Sequence, residues 1–520
     1  MALLQVILFL LLCAVALGWV ARRFKFPYPI ALVIGGGLLG FVPRLPQLQF
    51  DPEFLLVLVL PPILYQAALL TSWRDFKANI RPIGLLAIGL VIVTTLAVGA
   101  TLKLLIPDIP WAAAFVLGAI VSPPDVLAAT AILSRLTIPR SVVTVLEGES
   151  LVNDASGLVI YKFAVAAVLT GAFSLFDASV QFVAVSVGGV AIGVAIGWVF
   201  VVIHRHLGDA FIEVLTTLAV PYVIYILAES LHVSGVLAVV ASGIVRGRYS
   251  PEIVSAEMRI MARSVWNLFV FLINSLVFIL IGVQLSGMVG RLTDYSVAEL
   301  LFYGTFVSAV AIFVRFAWVY PAIYLPLLVR ASLGQRVPPP REGEVFIMGW
   351  CGMRGIVSLA AALALPRTLN DGSAFPERDL IIFLTFFVIA VTLVLQGLTL
   401  KPLIRTLKVG RDWSLQEEQQ RATLALGKAA IAAIDIVAEK EAIPNELAER
   451  LRAEFAEKIT LSVPDGVVLS HSSADSARRL RAAAVKAERQ ELIRLWRENL
   501  ISDDVLHKIE EDLDYQESRT

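Results

Sequence analysis

Long apolar runs recur through the first 400 positions of the chain, separated by short polar segments. A helix needs roughly 20 apolar residues to cross the ~30 Å hydrocarbon layer of a membrane, and shorter runs suffice where helices are broken. About thirteen runs meet this requirement. They fall near residues 3–21, 29–42, 54–71, 83–105, 111–134, 141–169, 179–203, 211–229, 233–246, 265–288, 299–328, 345–366 and 379–400. Because backbone groups in lipid must bond within their own segment, we predict an all-α polytopic membrane protein.

Charge is distributed unevenly between two parts of the chain. Overall, 58% of the residues are hydrophobic, 17% are charged and the mean hydropathy is +0.80, which lies outside the range of soluble domains. Yet residues 401–520 hold 19 of the 43 basic and 22 of the 43 acidic residues. We therefore predict a transmembrane domain over 1–402 and a cytosolic tail of solvated helices over 403–520. A regulatory or oligomeric tail module is the alternative.

Basic residues indicate which loops face the cytosol. With the N-terminus outside, the inward segments carry about 20 lysines and arginines and the outward segments about five, as the positive-inside rule requires. An odd number of crossings then leaves the tail in the cytosol. A signal peptide carries its positive charges before the apolar run, but here they follow it, at Arg22, Arg23 and Lys25. This run is therefore predicted to be a membrane helix.

Two of the predicted helices are interrupted near their middle. The fifth contains Ser-Pro-Pro-Asp at 122–125, where proline rings remove backbone donors. The twelfth contains GWCGMRG at 349–355. If helices 1–6 and 8–13 form two repeats, both breaks fall in the fifth helix of a repeat, and the repeats run in opposite directions. Matched interruptions in inverted repeats indicate the midplane binding site of a transporter.

Seven charged side chains lie inside the predicted spans and away from their ends. They are Asp125, Glu147, Glu149, Asp154, Lys162, Arg315 and Arg354. Each costs about 2.5–3.5 kcal/mol at a helix centre, and together they exceed the usual stability of a protein. They must therefore pair or face water.

Asp154 has the position expected of an ion-binding carboxylate. It lies about 13 residues into the sixth helix, or roughly 20 Å along its axis, which is near the midplane. Glu147, Ser150 and Asp154 share one helix face, and Glu149 with Asn153 occupies a neighbouring face. A carboxylate buried here holds either a proton or a small cation, because burial penalises its bare charge.

The remaining charges are assigned by the same reasoning. Arg354 is permanently charged, and Glu149 is its predicted partner. Lys162 lies towards the outer surface and is predicted to extend to the membrane interface, with a second carrier role as the alternative. Arg315 is predicted to neutralise one of the other acids, of unspecified identity. Glu147 lies close to the inner surface and is predicted to attract cations towards the site.

Six motifs together resemble one family of transporters. They are LPPILYQAAL at 60–69, GAIVSPPDVLAATAIL at 118–133, VLEGESLVNDASGLVIYKFAV at 145–165, LAESLHVSGVLAVVASGIV at 227–245, RFAWVYP at 315–321 and GWCGMRGIVSLAAALALP at 349–366. With them the chain resembles bacterial sodium/proton antiporters of the cation:proton antiporter-1 family, relatives of the eukaryotic sodium/hydrogen exchangers. The resemblance covers nearly all of the first 400 residues.

The resemblance implies a specific architecture and set of partners. It implies thirteen helices, with a core over about 83–169 and 299–400 and a scaffold or dimerisation part over about 3–71 and 179–288. Elevator-like alternating access would move Na⁺ and H⁺ across the bacterial cytoplasmic membrane. It further implies a homodimer surrounded by lipid, with no cofactor and no nucleic-acid partner.

The resemblance also implies roles for individual residues. Asp154 would be the carboxylate shared by cation and proton, and Asn153 would mark electroneutral one-for-one exchange. Ser150 and the backbone around Pro124 would complete the cation shell. Asp125 would lie at the helix crossing. Glu149 and Arg354 would form an ion pair that supports the core.

Two positions depart from the family pattern, and two other functions remain open. Many relatives have threonine where this chain has Pro124, and some have glutamate where it has Gln66, so the preferred cation stays undetermined. A K⁺-preferring antiporter is therefore an alternative, and a cation channel is another, because channels also line pores with acids. A hydrolase is excluded by the absence from the sequence of a nucleophile elbow, a metal-binding helix motif or a histidine cluster.

Overall fold

The computed structural model describes the chain as a helical protein. The described residues are 2–24, 28–40, 52–125, 133, 138–171, 173–289, 292, 294–332, 340–409, 413–441, 443–461 and 474–517. Within them no strand occurs beyond one isolated bridge between Thr368 and Ala374. The all-α prediction is confirmed.

The membrane part begins with seven helices. They are α1 (Ala2–Arg23), α2 (Tyr28–Leu39), α3 (Pro52–Leu70), the short α4 (Trp73–Ala78), α5 (Ile80–Leu105), α6 (Trp111–Val121) and α7 (Arg140–Thr170). Eight more helices follow. They are α8 (Leu175–His204), α9 (Ala210–Ser230), α10 (Gly235–Ile253), α11 (Ala256–Val289), α12 (Val297–Ser332), α13 (Glu342–Trp350), α14 (Ile356–Leu363) and α15 (Arg378–Thr406).

Each of the thirteen predicted segments contains helix in its described residues. By length and composition, seven of the described helices are long and apolar enough to cross a membrane, and four shorter apolar helices accompany them. The seven are α5, α7, α8, α9, α12, α15 and the Ala256–Leu280 part of α11. The total of thirteen crossings stays a prediction.

Both predicted interruptions are present among the described residues. Helix α6 ends at Val121, and residues 122–125, which include Pro123 and Pro124 without backbone donors, are not helical. The predicted continuation of this segment over 126–132 lies outside the described residues. Helix α13 ends at Trp350 and α14 begins at Ile356, which leaves 351–355 as non-helical backbone. Each break exposes helix-end backbone groups that need partners.

Helix α5 packs against α7 and bonds to it through a non-standard segment. Residues Leu85–Leu90 form a π-helical segment, in which the ordinary backbone bonding pattern is interrupted. The hydroxyl of Ser156 in α7 donates to the carbonyl of Ala87 in this segment. The π-helical segment therefore offers α7 a backbone acceptor that a regular helix would use internally.

The described chain divides into two compact units. The first comprises Met1–Val199, Leu218–Gly247 and Asn267–Arg411, and it contains all the predicted site residues. The predicted boundary at 402/403 stays a prediction.

The second unit comprises Phe200–Thr217, Arg248–Trp266 and Asp412–Thr520. Its tail helices are α16 (Trp413–Lys440), α17 (Asn445–Leu461), α18 (Ala474–Arg497) and α19 (Asp503–Glu517). Within this unit Arg259 is largely buried and binds Asp514 through Nε and Nη2, at 2.8 and 2.6 Å. The tail helices and the Arg248–Trp266 segment are therefore joined by a buried ion pair.

Candidate cation-binding site

The site is built where α7 passes the two helix breaks. Gly157 of α7 packs against Pro123, and a Cβ added to Gly157 would lie 3.0 Å from the proline ring. Gly355 packs still more tightly, since an added Cβ would lie 1.8 Å from Oδ2 of Asp125. Glycine is needed at 157 and 355 because any side chain there would collide with the Pro123 ring or the Asp125 carboxylate. The acids of α7 are thereby brought beside the non-helical backbone.

The two breaks are bonded directly to each other. The backbone N–H of Asp125 donates to the carbonyl of Met353 at 2.6 Å. In return, the N–H of Ile356 donates to Oδ2 of Asp125 at 3.2 Å. Because Ile356 is the first residue of α14, the Asp125 carboxylate lies at the positive end of that helix. Through its backbone and its side chain, Asp125 therefore joins the two breaks.

One cavity of about 210 Å³ gathers most of the predicted ligands. Its polar lining comes from Asp154, Asp125, Glu147, Ser150 and Gln66. Its apolar lining comes from Leu60, Ile63, Leu64, Ala67, Leu70, Leu151, Ile356 and Val357. A cavity of this size holds several water molecules. Three of these lining residues are acids and none is basic, a balance of charge that suits a cation better than an anion.

Asp154 is the most informative of the lining acids. Its residue is only 6% exposed, yet it borders the cavity. A bare carboxylate in such a place is costly, so it favours a bound proton or a bound cation. Carboxylate, hydroxyl and amide oxygens are the ligands that hard cations prefer. Asp154, Ser150 and Gln66 supply one of each.

The side chain of Asn153 is bonded to Pro124 and does not border the cavity. The Asn153 side chain is fully buried, and its Nδ2 donates to the carbonyl of Pro124 at 3.0 Å. In the described structure its Oδ1 has no hydrogen-bond partner. Neither residue lines the cavity. In this structure Asn153 fixes the carbonyl of the first break beside Asp154.

The prediction that Glu149 pairs with Arg354 is wrong, because its basic partner is a different arginine. Glu149 instead binds Arg315 in a bidentate pair, with N–O distances of 2.5 and 2.8 Å. Both side chains are almost completely buried, at 0% and 1% exposed. Arg315 also donates to the carbonyl of Met348 through Nε and Nη2. The unspecified partner of Arg315 is thus Glu149.

Arg354 is held by backbone carbonyls. Its guanidinium donates to the carbonyl oxygens of Val121 at 3.0 Å, Ala311 at 3.2 Å and Gly352. Val121 is the last residue of α6, and the carbonyl end of a helix carries partial negative charge. Carboxylates are not the only partners for a buried arginine, because a broken helix also supplies free carbonyls.

Lys162 lies away from the cavity and has a partner that the sequence did not indicate. Its Nζ is 2.8 Å from Oε2 of Glu229 in α9, and its side chain is 62% exposed. This exposure is typical of a side chain that reaches an interface. Glu229 was missed because it lies 67 positions along the chain, near the end of a predicted span and outside the set of buried acids.

Comparison with known proteins now adds independent evidence. The model of the family described as "Sodium/hydrogen exchanger, transmembrane" matches residues 7–406. The chain belongs to this family. An uncharacterised Na⁺/H⁺ exchanger of Mycobacterium tuberculosis is 34% identical over 521 residues, covering 98% of this chain and 95% of the relative. The sequence-based recognition of a sodium/proton antiporter is confirmed.

Two further relatives have more specific names. The sodium, potassium, lithium and rubidium/H⁺ antiporter of Bacillus subtilis is 33% identical over 518 residues, covering 97% of this chain and 76% of that protein. The Na⁺/H⁺ antiporter NhaP of Pseudomonas aeruginosa is 33% identical and covers 70% of this chain and 84% of its own length.

A solved structure shares the fold. The sodium proton antiporter MjNhaP1 from Methanocaldococcus jannaschii, at pH 8, superimposes with a TM-score of 0.62. The match covers 79% of this chain and all of that chain, at 19% identity. At this identity the likeness shows the antiporter fold alone.

Proposed function

We propose that this protein exchanges one monovalent alkali cation for one H⁺, with Asp154 binding the two in turn. The observation that carries the proposal is the position of Asp154 in a cavity whose lining includes three carboxylates and no base. Such a site attracts a cation, and its buried carboxylate cannot stay bare at low cost. Cation and proton therefore compete for one group.

The charge balance of this site favours electroneutral exchange. A carboxylate that carries Na⁺ and a carboxylate that carries H⁺ have the same net charge of zero. The neighbouring amide of Asn153 adds no charge that could differ between the two loaded forms. If only loaded forms cross, one cation moves for each proton, and no net charge crosses the membrane.

The packing around Asp154 supports alternating access. The cavity reaches Glu147 and Ser150 on one side of Asp154 along α7. On the other side, Ala155, Ser156 and Gly157 are buried. We take the Glu147 end of the cavity as the open end and the end beyond Asp154 as closed, so the cycle requires a conformational change that exposes the site at the closed end. With the orientation indicated by the basic residues, the open end faces the cytosol.

The same proposal includes the cellular setting. The protein would lie in the bacterial cytoplasmic membrane as a homodimer, with its N-terminus outside and its tail in the cytosol. The excess of basic residues in the predicted inner loops supports this orientation. Cross-linking in inverted and right-side-out vesicles would test both the dimer and the orientation.

Flux measurements in proteoliposomes test the proposal. An imposed Na⁺ gradient should drive H⁺ in the opposite direction, and the exchange should persist unchanged when the membrane potential is clamped at zero. Asp154→Asn should abolish exchange while the protein remains folded. Exchange at the wild-type rate in this variant would remove Asp154 from the mechanism. A conductance beyond the rate of domain motions would instead identify a channel.

The range of transported cations is the second question. Gln66 adds a neutral oxygen to the cavity where a charged ligand would bind small ions more strongly. The name of the Bacillus subtilis relative includes four alkali cations. We therefore expect exchange with Na⁺, Li⁺, K⁺ and Rb⁺. A series of the four ions in the same liposomes separates this expectation from a Na⁺-selective or a K⁺-preferring antiporter.

A further inference from the structure

An ion pair joins two helices beyond Asp154, at the end of the site that the proposed cycle leaves closed. Lys162 belongs to α7, and its Nζ lies 2.8 Å from Oε2 of Glu229, near the end of α9. The other carboxylate oxygen of Glu229 accepts the N–H of Gly235, the first residue of α10, at 3.3 Å. Glu229 is therefore fixed to the turn between α9 and α10. Lys162 ties α7 to that turn.

The position of this pair relative to the cavity is informative. Lys162 lies eight positions after Asp154, or roughly 12 Å along the helix, in the direction opposite to Glu147. It does not line the cavity. Tyr161, directly before it, is 8% exposed, and Val159 is 6% exposed. Packed side chains thus separate the pair from the site.

The two helices belong to parts that are expected to move relative to each other. Helix α7 lies in the predicted core, and α9 and α10 lie in the predicted scaffold. Opening the closed end requires α7 to separate from the scaffold there. An ion pair that spans this boundary must then break, because charged groups bind each other at distances of only about 4 Å.

We propose that the Lys162–Glu229 pair is a latch that stabilises the conformation in which the cavity opens at its Glu147 end. The proposal rests on the alternating access described above. The latch adds no ligand to the cation site. It changes the ratio of the two conformations and hence the side from which the site is reached.

The size of the effect follows from the exposure of the pair. Exposed ion pairs change an equilibrium by at most about fivefold, because solvent and salt screen them. Removing the latch should therefore shift the ratio of conformations by two- to fivefold and should not abolish exchange. The shift should shrink in high salt on the outer side.

Accessibility of a cysteine in the cavity measures this ratio directly. Val357 lines the cavity and lies in α14, within the predicted core. We would introduce Val357→Cys after replacing Cys13 and Cys351 by alanine. Modification rates with a membrane-impermeant maleimide, measured from each side of oriented vesicles, give a ratio that follows the two populations. This readout does not require transport.

Three variants test the latch. Lys162→Gln and Glu229→Gln should each lower the ratio of inner to outer modification two- to fivefold, and glutamine at 229 retains an acceptor for Gly235. The double variant should match the singles, since each already breaks the pair. Lys103→Gln is the matched control, because Lys103 binds the carbonyls of Pro107 and Ile109 within one loop. It should leave the ratio unchanged.

The outcomes separate the latch from the proposed function. Unchanged ratios in both single variants, or additive effects in the double variant, would overturn the latch. A change in the modification ratio no larger than that of the Lys103→Gln control would also overturn the latch. If Asp154→Asn retains exchange but the latch variants shift the ratio, the proposed carrier fails and the latch stands.

Discussion

The buried pair of Glu149 and Arg315 allows a quantitative test of the corrected ion-pair assignment. Glu149→Gln would leave the Arg315 guanidinium charged and buried with neutral partners, the carbonyl of Met348 and the amide oxygen of the new glutamine. Removing one member of a buried pair typically costs about 3–5 kcal/mol. Because the two side chains are 0% and 1% exposed, solvent screening does not reduce this cost. We expect a loss of unfolding free energy of about 3 kcal/mol or more.

A double-mutant cycle identifies the partner. Glu149→Gln, Arg315→Gln and the double variant would be compared by reversible unfolding in mixed micelles. The double variant should be little worse than either single, which gives a coupling of at least about 2 kcal/mol. The same cycle with Arg354→Gln should give a smaller coupling, since Arg354 binds carbonyls. Equal or larger coupling with Arg354 would refute the assignment.

Two further predictions concern the helix crossing and the tail. Gly355→Ala should lower both stability and exchange, because the added methyl would collide with the Asp125 carboxylate; Gly84→Ala, with nothing within 4 Å, is the control that should melt like wild type. In the tail, burial lowers the pKa of His507, but nearby carboxylates, chiefly Glu510, outweigh it and raise the pKa. The folded protein thus binds the His507 proton more tightly than the unfolded chain does. The resulting stabilisation is complete below the unfolded pKa of about 6.5 and is lost as the pH rises through the pKa of the folded state. The protection of α19 amides, relative to their intrinsic exchange rates, should fall over that window, and a His507→Asn variant whose protection falls equally would contradict this.

The membrane architecture could be predicted because hydrocarbon leaves the chain few choices. Apolar length indicated the helices, and proline or clustered glycine indicated the breaks at 122–125 and 351–355. The cavity residues on α7 were also predictable, because Glu147, Ser150 and Asp154 share one face at helical spacing. Their shared face was sufficient to bring them to one cavity.

The choice of partners could not be predicted in the same way. Side-chain pairing depends on how helices far apart in sequence are rotated and shifted against one another. Glu149 and Arg315 are separated by 166 positions, and the sequence does not specify which of two buried arginines reaches the acid. The carbonyls that hold Arg354 are not visible in side-chain composition at all. For the same reason Glu229 was not identified as the partner of Lys162.

The partners of the three bases in the predicted spans bear on the role proposed for Asp154. Each base has other partners: Arg315 binds Glu149, Lys162 binds Glu229, and Arg354 binds backbone carbonyls. A base beside Asp154 would neutralise its charge permanently and would compete with any incoming ion. The use of helix-end carbonyls for Arg354 is therefore significant, because it holds a permanent cation at the crossing without consuming the carboxylate of Asp154. The proposed exchange requires a buried acid without a basic partner, and in the described part of the chain these three bases are held elsewhere.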